Sequence, residues 1–262
     1  MPKIAANLTM LFNDMPFLDR FAAAAKAGFK SVEFLLPYDF PAEKVKEALD
    51  TNGLKVVLFN LPCGNWAGGD RGIGANPNRV EEYRAGVKTA VEYAKLLGAP
   101  RLNCLAGKMV AGVSKEEHLK TLVENLKFSA DALGKIGVNQ IVEHINPFDI
   151  PGFVVNRVSE VLEVIEKVGR PNVFVQYDIY HAQRTEGNLA QILREQFAKI
   201  DHIQIADNPG RNQPGTGEIN YDFLFAEMDR LGYKGHVGLE YVPKPDTLGS
   251  LAWIKSYKVE QA

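Results

Sequence analysis

Eight times along the chain, a short run rich in β-branched and aromatic residues is followed by a longer stretch with helical periodicity. The runs are 3–8, 31–36, 55–61, 101–106, 139–145, 172–178, 202–206 and 236–241. The helical stretches are 16–28, 41–52, 77–97, 115–135, 156–168, 187–199, 220–231 and 247–257. Gly28, Gly53, Gly98 and Gly232 fall just past periodic stretches, where a left-handed residue ends a helix. Pro16 and Pro41 sit at first turns, where a missing N–H costs little. So regular an alternation demands a parallel sheet, because each return to the sheet is made by a helix. Eight units at about 33 residues each predict an α/β chain folded as a single (β/α)8 TIM barrel over residues 1–262. A doubly wound sheet would want a glycine-rich turn after the first strand, where NLTMLFND stands. With 46% hydrophobic and 24% charged residues, the chain can bury a large core without staples.

Charge and cysteine usage exclude several classes of function. A net charge of −2 offers no basic surplus to displace counterions, which argues against a nucleic-acid partner. Cys63 and Cys104 are far apart, with no CxxC pair, and read as reduced thiols. The opening MPKIAANLTM has no apolar leader core and no run reaches 18 apolar residues, so a cytoplasmic protein without a membrane partner is expected.

Strand parity locates the chemistry. In the sixth, seventh and eighth runs, Val173, Val175, Tyr177, Ile203, Ile205, Val237, Leu239 and Tyr241 share one face. Gln176, Asp178, His202, Gln204, His236, Gly238 and Glu240 share the other, so polar residues are expected inside the barrel and apolar ones against the helices. The last inward residues of runs five to eight are Glu143, Asp178, Gln204 and Glu240. In a barrel they converge at the C-terminal mouth, where barrel enzymes carry their active sites. Three carboxylates so close repel one another unless a cation lies between them. Their hard oxygens favour Mg²⁺ or Mn²⁺.

The segments EHINPFDIPGF, QYDIYHAQ, HIQIADNPGR, PGTGEINY and GHVGLEY, with AANLTMLF and WAGGDRG, resemble the hydroxypyruvate isomerase family. That family belongs to the xylose-isomerase-like barrels, with the ketose 3-epimerases. The resemblance spans nearly the whole chain. It implies a metal-dependent isomerisation of hydroxypyruvate to tartronate semialdehyde, with Glu143 and Glu240 exchanging protons with adjacent carbons. Asp178 and Gln204 complete the implied metal set. The epimerases usually carry His where this chain has Gln204, which makes the site all-oxygen and leans away from that branch. Homodimers or homotetramers are common among such relatives. The chemistry also stands without the resemblance. A proton beside a carbonyl is too weakly acidic for a free carboxylate, and a chelating cation lowers that barrier by stabilising the enediolate.

Other residues are candidates of lower rank. His181 resembles a substrate-contacting histidine of the family. Arg211, Lys108 and Arg71 are cations suited to a substrate carboxylate. His144 has outward parity, His202 and His236 read as hydrogen-bonded interior residues, and His118 as solvated. Glu218 is expected to support the start of the helix over 220–231. The glycine-rich segment 62–77 is long enough for a lid, and Phe12, Trp66 and Tyr241 are candidate pocket walls. Asn7 and Glu33 are candidate hydrogen-bonding groups at the mouth. The substrate is thus expected to be a small hydroxy-keto acid, with a 2-oxo-tetronate or a ketose as the longer alternatives. An abasic-site endonuclease of the related barrels would need a histidine cluster and a basic face, and a non-catalytic sugar-binding barrel would exchange no protons.

Overall fold

The computed structural model describes residues 1–257 and 259–261. Eight parallel strands carry the barrel: β1 (Lys3–Asn7), β2 (Ser31–Glu33), β3 (Lys55–Asn60), β4 (Arg101–Cys104), β5 (Asn139–Glu143), β6 (Val173–Asp178), β7 (Ile200–Ile205) and β8 (His236–Leu239). They pair in chain order, and β1 closes the ring by pairing with both β8 and β2. A two-residue strand, β9 (Glu260–Gln261), pairs with Lys3 and Ile4, below the point where β2 takes over that edge of β1.

The helices are α1 (Asp19–Lys26), α2 (Ala42–Thr51), α3 (Val80–Leu97), α4 (Lys115–Gly134), α5 (Val158–Val168), α6 (Ile179–Thr185), α7 (Leu189–Gln196), α8 (Tyr221–Leu231) and α9 (Thr247–Ser250). Gly98 and Gly232 end α3 and α8 in the left-handed conformation, as their positions predict. Three expected helices are divided or trimmed. The stretch 77–97 opens with the 3₁₀ turn Pro77–Arg79, 187–199 yields α7 and a second 3₁₀ turn, and 247–257 becomes α9 and Leu251–Lys255 in 3₁₀ form. Helix α6 has no counterpart in the sequence reading. It starts directly from β6, with Asp178 as its N-cap accepting from the His181 backbone N–H at 3.1 Å, so no loop or glycine marks its start. No helix among the described residues is long and apolar enough to cross a membrane.

Two apolar layers hold the fold. The large one lies between strands and helices and takes Val175, Tyr177, Ile203, Ile205, Val237 and Leu239, the outward set that parity predicts. The small one is inside the barrel: Ala5, Val57, Leu58 and Ile141, with Phe174 packed on it. The interior is otherwise polar. Arg101 Nε lies 2.8 Å from Asp201 Oδ2 at the end where the strands begin. Asn7, Glu33, Asn60, Asn103, Gln176, His202 and Gln204 are all buried. Glu33 sits at the centre, accepting from Asn7 Nδ2 at 2.8 Å and Gln204 Nε2 at 2.7 Å, with His202 Nε2 at 2.6 Å. His236 Nε2 meets Ser31 Oγ at 3.1 Å lower down, so both interior histidines are hydrogen-bonded as expected.

Gly238 makes room for this centre. A Cβ there would lie 2.2–2.4 Å from the Glu33 carboxylate, which its three partners keep from moving aside. Gly238→Ala is therefore expected to cost about 1–3 kcal/mol, as overpacking of a filled interior does. A fall in the midpoint of urea unfolding measures this, and an unchanged midpoint would show that Glu33 yields freely.

Candidate active site

Glu143 ends β5, Asp178 ends β6, Gln204 lies near the end of β7, and Glu240 follows β8 directly. Because each ends an inward-facing series, the barrel brings them together. Glu143, Asp178, His181 and Glu240 are buried and offer ligand atoms within 4.8 Å of one another, the one such group found among the described residues. Glu143, Gln204, Glu240 and His181 line a cavity of about 400 Å³ at the mouth, with Arg211, Arg71, Trp66 and Asp149 around them.

The electrostatics of this cluster are unfavourable to bare carboxylates. Burial raises the Glu143 carboxyl well above its ordinary range, with Glu240 and Asp178 adding to the shift; Arg211 and an Asn103 Nδ2 hydrogen bond at 2.9 Å oppose it. Burial pushes Glu240 up to about 8, against the pull of Arg211 and with help from the Asp178 and Glu33 charges. Arg211 Nη2 donates to Glu240 Oε2 at 2.7 Å, its guanidinium lies 5.2 Å from the Tyr180 ring, and its Nε has no partner. The Asp207 carboxylate organises the loop that carries Arg211. It accepts from the backbone N–H groups of Gly215, Thr216 and Gly217 at 2.9–3.0 Å and of Asn208 and Ile219 at 3.0 and 3.1 Å.

The donor set fits a hard divalent cation. Three buried carboxyl groups supply hard oxygens. The Gln204 amide is oriented by Glu33, which takes its Nε2; its Oε1 accepts from Gln176 Nε2 and retains a second lone pair. Gln176 Oε1 in the lining, and Oδ1 of the Asn103 amide that bonds Glu143, are buried without a partner.

The cationic candidates separate. Arg211 and Arg71 line the cavity, Arg71 stacked 4.3 Å over Trp66 with Nη1 on the Trp66 carbonyl at 3.1 Å. Lys108 is exposed and outside the lining, its backbone bridged to Phe153. Much of segment 62–77 is anchored. Gly72 and Gly107 pack backbone to backbone, so that a Cβ on Gly107 would lie 2.1 Å from the Gly72 carbonyl oxygen, and Ala75 N–H bonds the Ala106 carbonyl at 2.8 Å. Phe12 and Tyr241 are buried outside the cavity lining; Tyr241 packs near Ser250 and Trp253.

Two expectations fail for local reasons. His118 is buried, not solvated: Nδ1 lies 2.8 Å from the Ser114 carbonyl and Nε2 accepts the Val110 N–H at 2.9 Å, tying the preceding loop to α4. Glu218 does not cap α8; Asn220 does, through the Phe223 N–H at 3.1 Å, while Glu218 accepts from Gln183 and Asn208. His144 faces outward as parity requires, buried with neither ring nitrogen bonded. The sequence reading missed Asn103, Asn146 and Asp149. Inward parity in β4 marks the first, whereas the other two lie in a loop with no periodic signal.

The family model for xylose isomerase-like TIM barrels matches residues 21–257. The chain is 48% identical to hydroxypyruvate isomerase of Escherichia coli K12, over 98% of this chain and 100% of that one. It is 45% identical to 2-oxo-tetronate isomerase of Haemophilus influenzae, again over 98% and 100%. Among solved structures, one described as AP endonuclease, family 2, from Brucella melitensis superposes with a TM-score of 0.95 at 41% identity, covering 98% of this chain and 99% of that one.

Raised carboxyl pKa values favour protonated acids in the metal-free fold. Their stabilising contribution is complete below the ordinary carboxylate pKa and is lost as pH rises through the folded values, about 8 for Glu240. A cation must displace those protons, so it binds more tightly as pH rises. Calorimetric scans should therefore show a larger Mn²⁺-induced rise in Tm at about pH 8 than at about pH 6. An increment independent of pH would contradict the proton competition.

Proposed function

The chain belongs to the hydroxypyruvate isomerase family of xylose isomerase-like TIM barrels, and on that footing we propose that it interconverts hydroxypyruvate and tartronate semialdehyde through an enediolate. It is an aldose–ketose-type isomerase. The observation that carries the reading is the pair Glu143 and Glu240, both buried on one small cavity, with both carboxyls raised above their ordinary range by burial. One of the pair removes the proton from C3 and the other returns a proton to C2, while the C3 hydroxyl proton passes to the C2 oxygen. Glu143, Asp178, Gln204 and Glu240 are the residues that would hold a divalent cation, Mg²⁺ or Mn²⁺ by the hardness of their oxygens. When bound, that cation supplies electrostatic stabilisation of the developing enediolate. Asn103 holds Glu143 and Arg211 holds Glu240, each through Oε2.

Arg211 and Arg71 serve the substrate carboxylate. His181 contacts a substrate oxygen. The same residues act on a 2-oxo-tetronate in the second reading, which the 45% identical relative favours and which the cavity of about 400 Å³ has room for. Although the Brucella structure is described as an endonuclease, this cavity and the net charge of −2 suit a small acid better than a duplex.

Glu143→Gln and Glu240→Gln are each expected to slow isomerisation by about 10²–10⁴-fold, the usual contribution of a positioned acid or base. Proton NMR of hydroxypyruvate in D₂O with Mg²⁺, Mn²⁺ or chelator follows both turnover and solvent deuterium incorporation. Full activity in either variant would reject its role. Arg211→Gln should raise KM for hydroxypyruvate by about tenfold to a hundredfold, the value of a charge-assisted hydrogen bond. An unchanged KM would move carboxylate recognition to another residue.

A further inference from the structure

His181 Nε2 stands 3.8 Å from Asp178 Oδ2 and 3.9 Å from Glu143 Oε1. From there the imidazole can act as a nitrogen ligand or as a proton donor, and the ring nitrogen that carries the hydrogen decides which. That choice falls to Asn146, a buried residue three positions beyond Glu143. Its Oδ1 accepts the backbone N–H groups of Phe148 at 3.1 Å and Asp149 at 2.9 Å, which fixes the amide without ambiguity. Nδ2 therefore faces His181, 2.6 Å from Nδ1, and directs its second hydrogen to Asp149 Oδ2 at 3.1 Å. The Asn146 backbone N–H is also directed at Nδ1, at 3.5 Å.

Two donors converge on His181 Nδ1 and no acceptor does, so Nδ1 carries a lone pair. With two donors aimed at Nδ1, that nitrogen is the acceptor and the ring is a neutral imidazole. Its one proton is then on Nε2. We propose that Asn146 is a positioning residue that locks His181 as the Nε2–H tautomer, keeping the imidazole out of the coordination shell and reserving it as a hydrogen-bond donor to a substrate oxygen. The donor's target rests on the isomerase reading; the tautomer does not. The consequence is an all-oxygen metal set, which separates hard Mg²⁺ and Mn²⁺ from the nitrogen-preferring Co²⁺ and Zn²⁺.

Replacing the Asn146 amide by a carboxylate puts an acceptor where the donor was. Long-range ¹H–¹⁵N spectra of ¹⁵N-histidine-labelled, metal-free protein read the tautomer directly. The His181 signal is identified by its loss in His181→Gln, and the other four histidines report that the fold is intact. The wild type is expected in the Nε2–H form, Asn146→Ala as a tautomer mixture, and Asn146→Asp as Nδ1–H. The freed Nε2 of Asn146→Asp should raise Co²⁺ affinity relative to Mg²⁺ by about tenfold to a hundredfold and change the visible Co²⁺ spectrum. A wild-type Nδ1–H ring, or Asn146→Asp with an unaltered tautomer and Co²⁺ spectrum, would overturn the proposal. An Nε2–H ring in a protein that leaves hydroxypyruvate untouched would uphold the tautomer and reject the substrate instead.

Discussion

Three buried carboxylates held within 4.8 Å of one another are the constraint around which the barrel mouth is organised. Glu143, Asp178 and Glu240 are each under a tenth exposed, and burial raises the cost of ionising Glu143 and Glu240 together. The protein meets that cost only in part, with one arginine on Glu240 and one asparagine on Glu143. A fully compensated cluster would be a structural salt bridge. A partly compensated one is a cluster that could hold a cation.

The residues around the cluster act by direction more than by charge. Glu33 takes the Gln204 amide nitrogen, which fixes that amide and leaves its oxygen to accept from Gln176 Nε2 with a second lone pair to spare. Asn146, with its oxygen held by two backbone N–H groups, offers only hydrogens to His181. Asp207 gathers five N–H groups of the loop bearing Arg211 and so places a guanidinium at the rim. Gly238 provides the space in which Glu33 sits. Each device costs little alone. Together they set which atom of each first-contact residue faces the cavity.

Parity made much of this legible beforehand. Once eight strands are granted, a period of two sends Glu143, Gln204 and Glu240 to one cavity, with Asp178 beside the two glutamates, and the outward apolar set follows from the same count. Parity has nothing to say about loops or residues that start helices. Helix α6 escaped because its cap is the last residue of β6, and His118 because its partners come from the preceding loop. Glu218 was misread because Asn220, two residues later, competes better for the orphan N–H groups of α8. Lys108 follows β4 yet points to solvent, since a side chain beyond the ladder no longer obeys strand alternation.

By itself the sequence determined the eightfold alternation, the inward and outward faces, and the four oxygen-bearing residues at the strand ends, because these depend only on local periodicity and on the closure of a parallel sheet. The tertiary structure alone decided which atoms those residues present. The Gln204 amide orientation, the Asn146–His181 contact and the partners of Glu143 and Glu240 are set by contacts between segments dozens of residues apart, and such contacts leave no periodic trace along the chain.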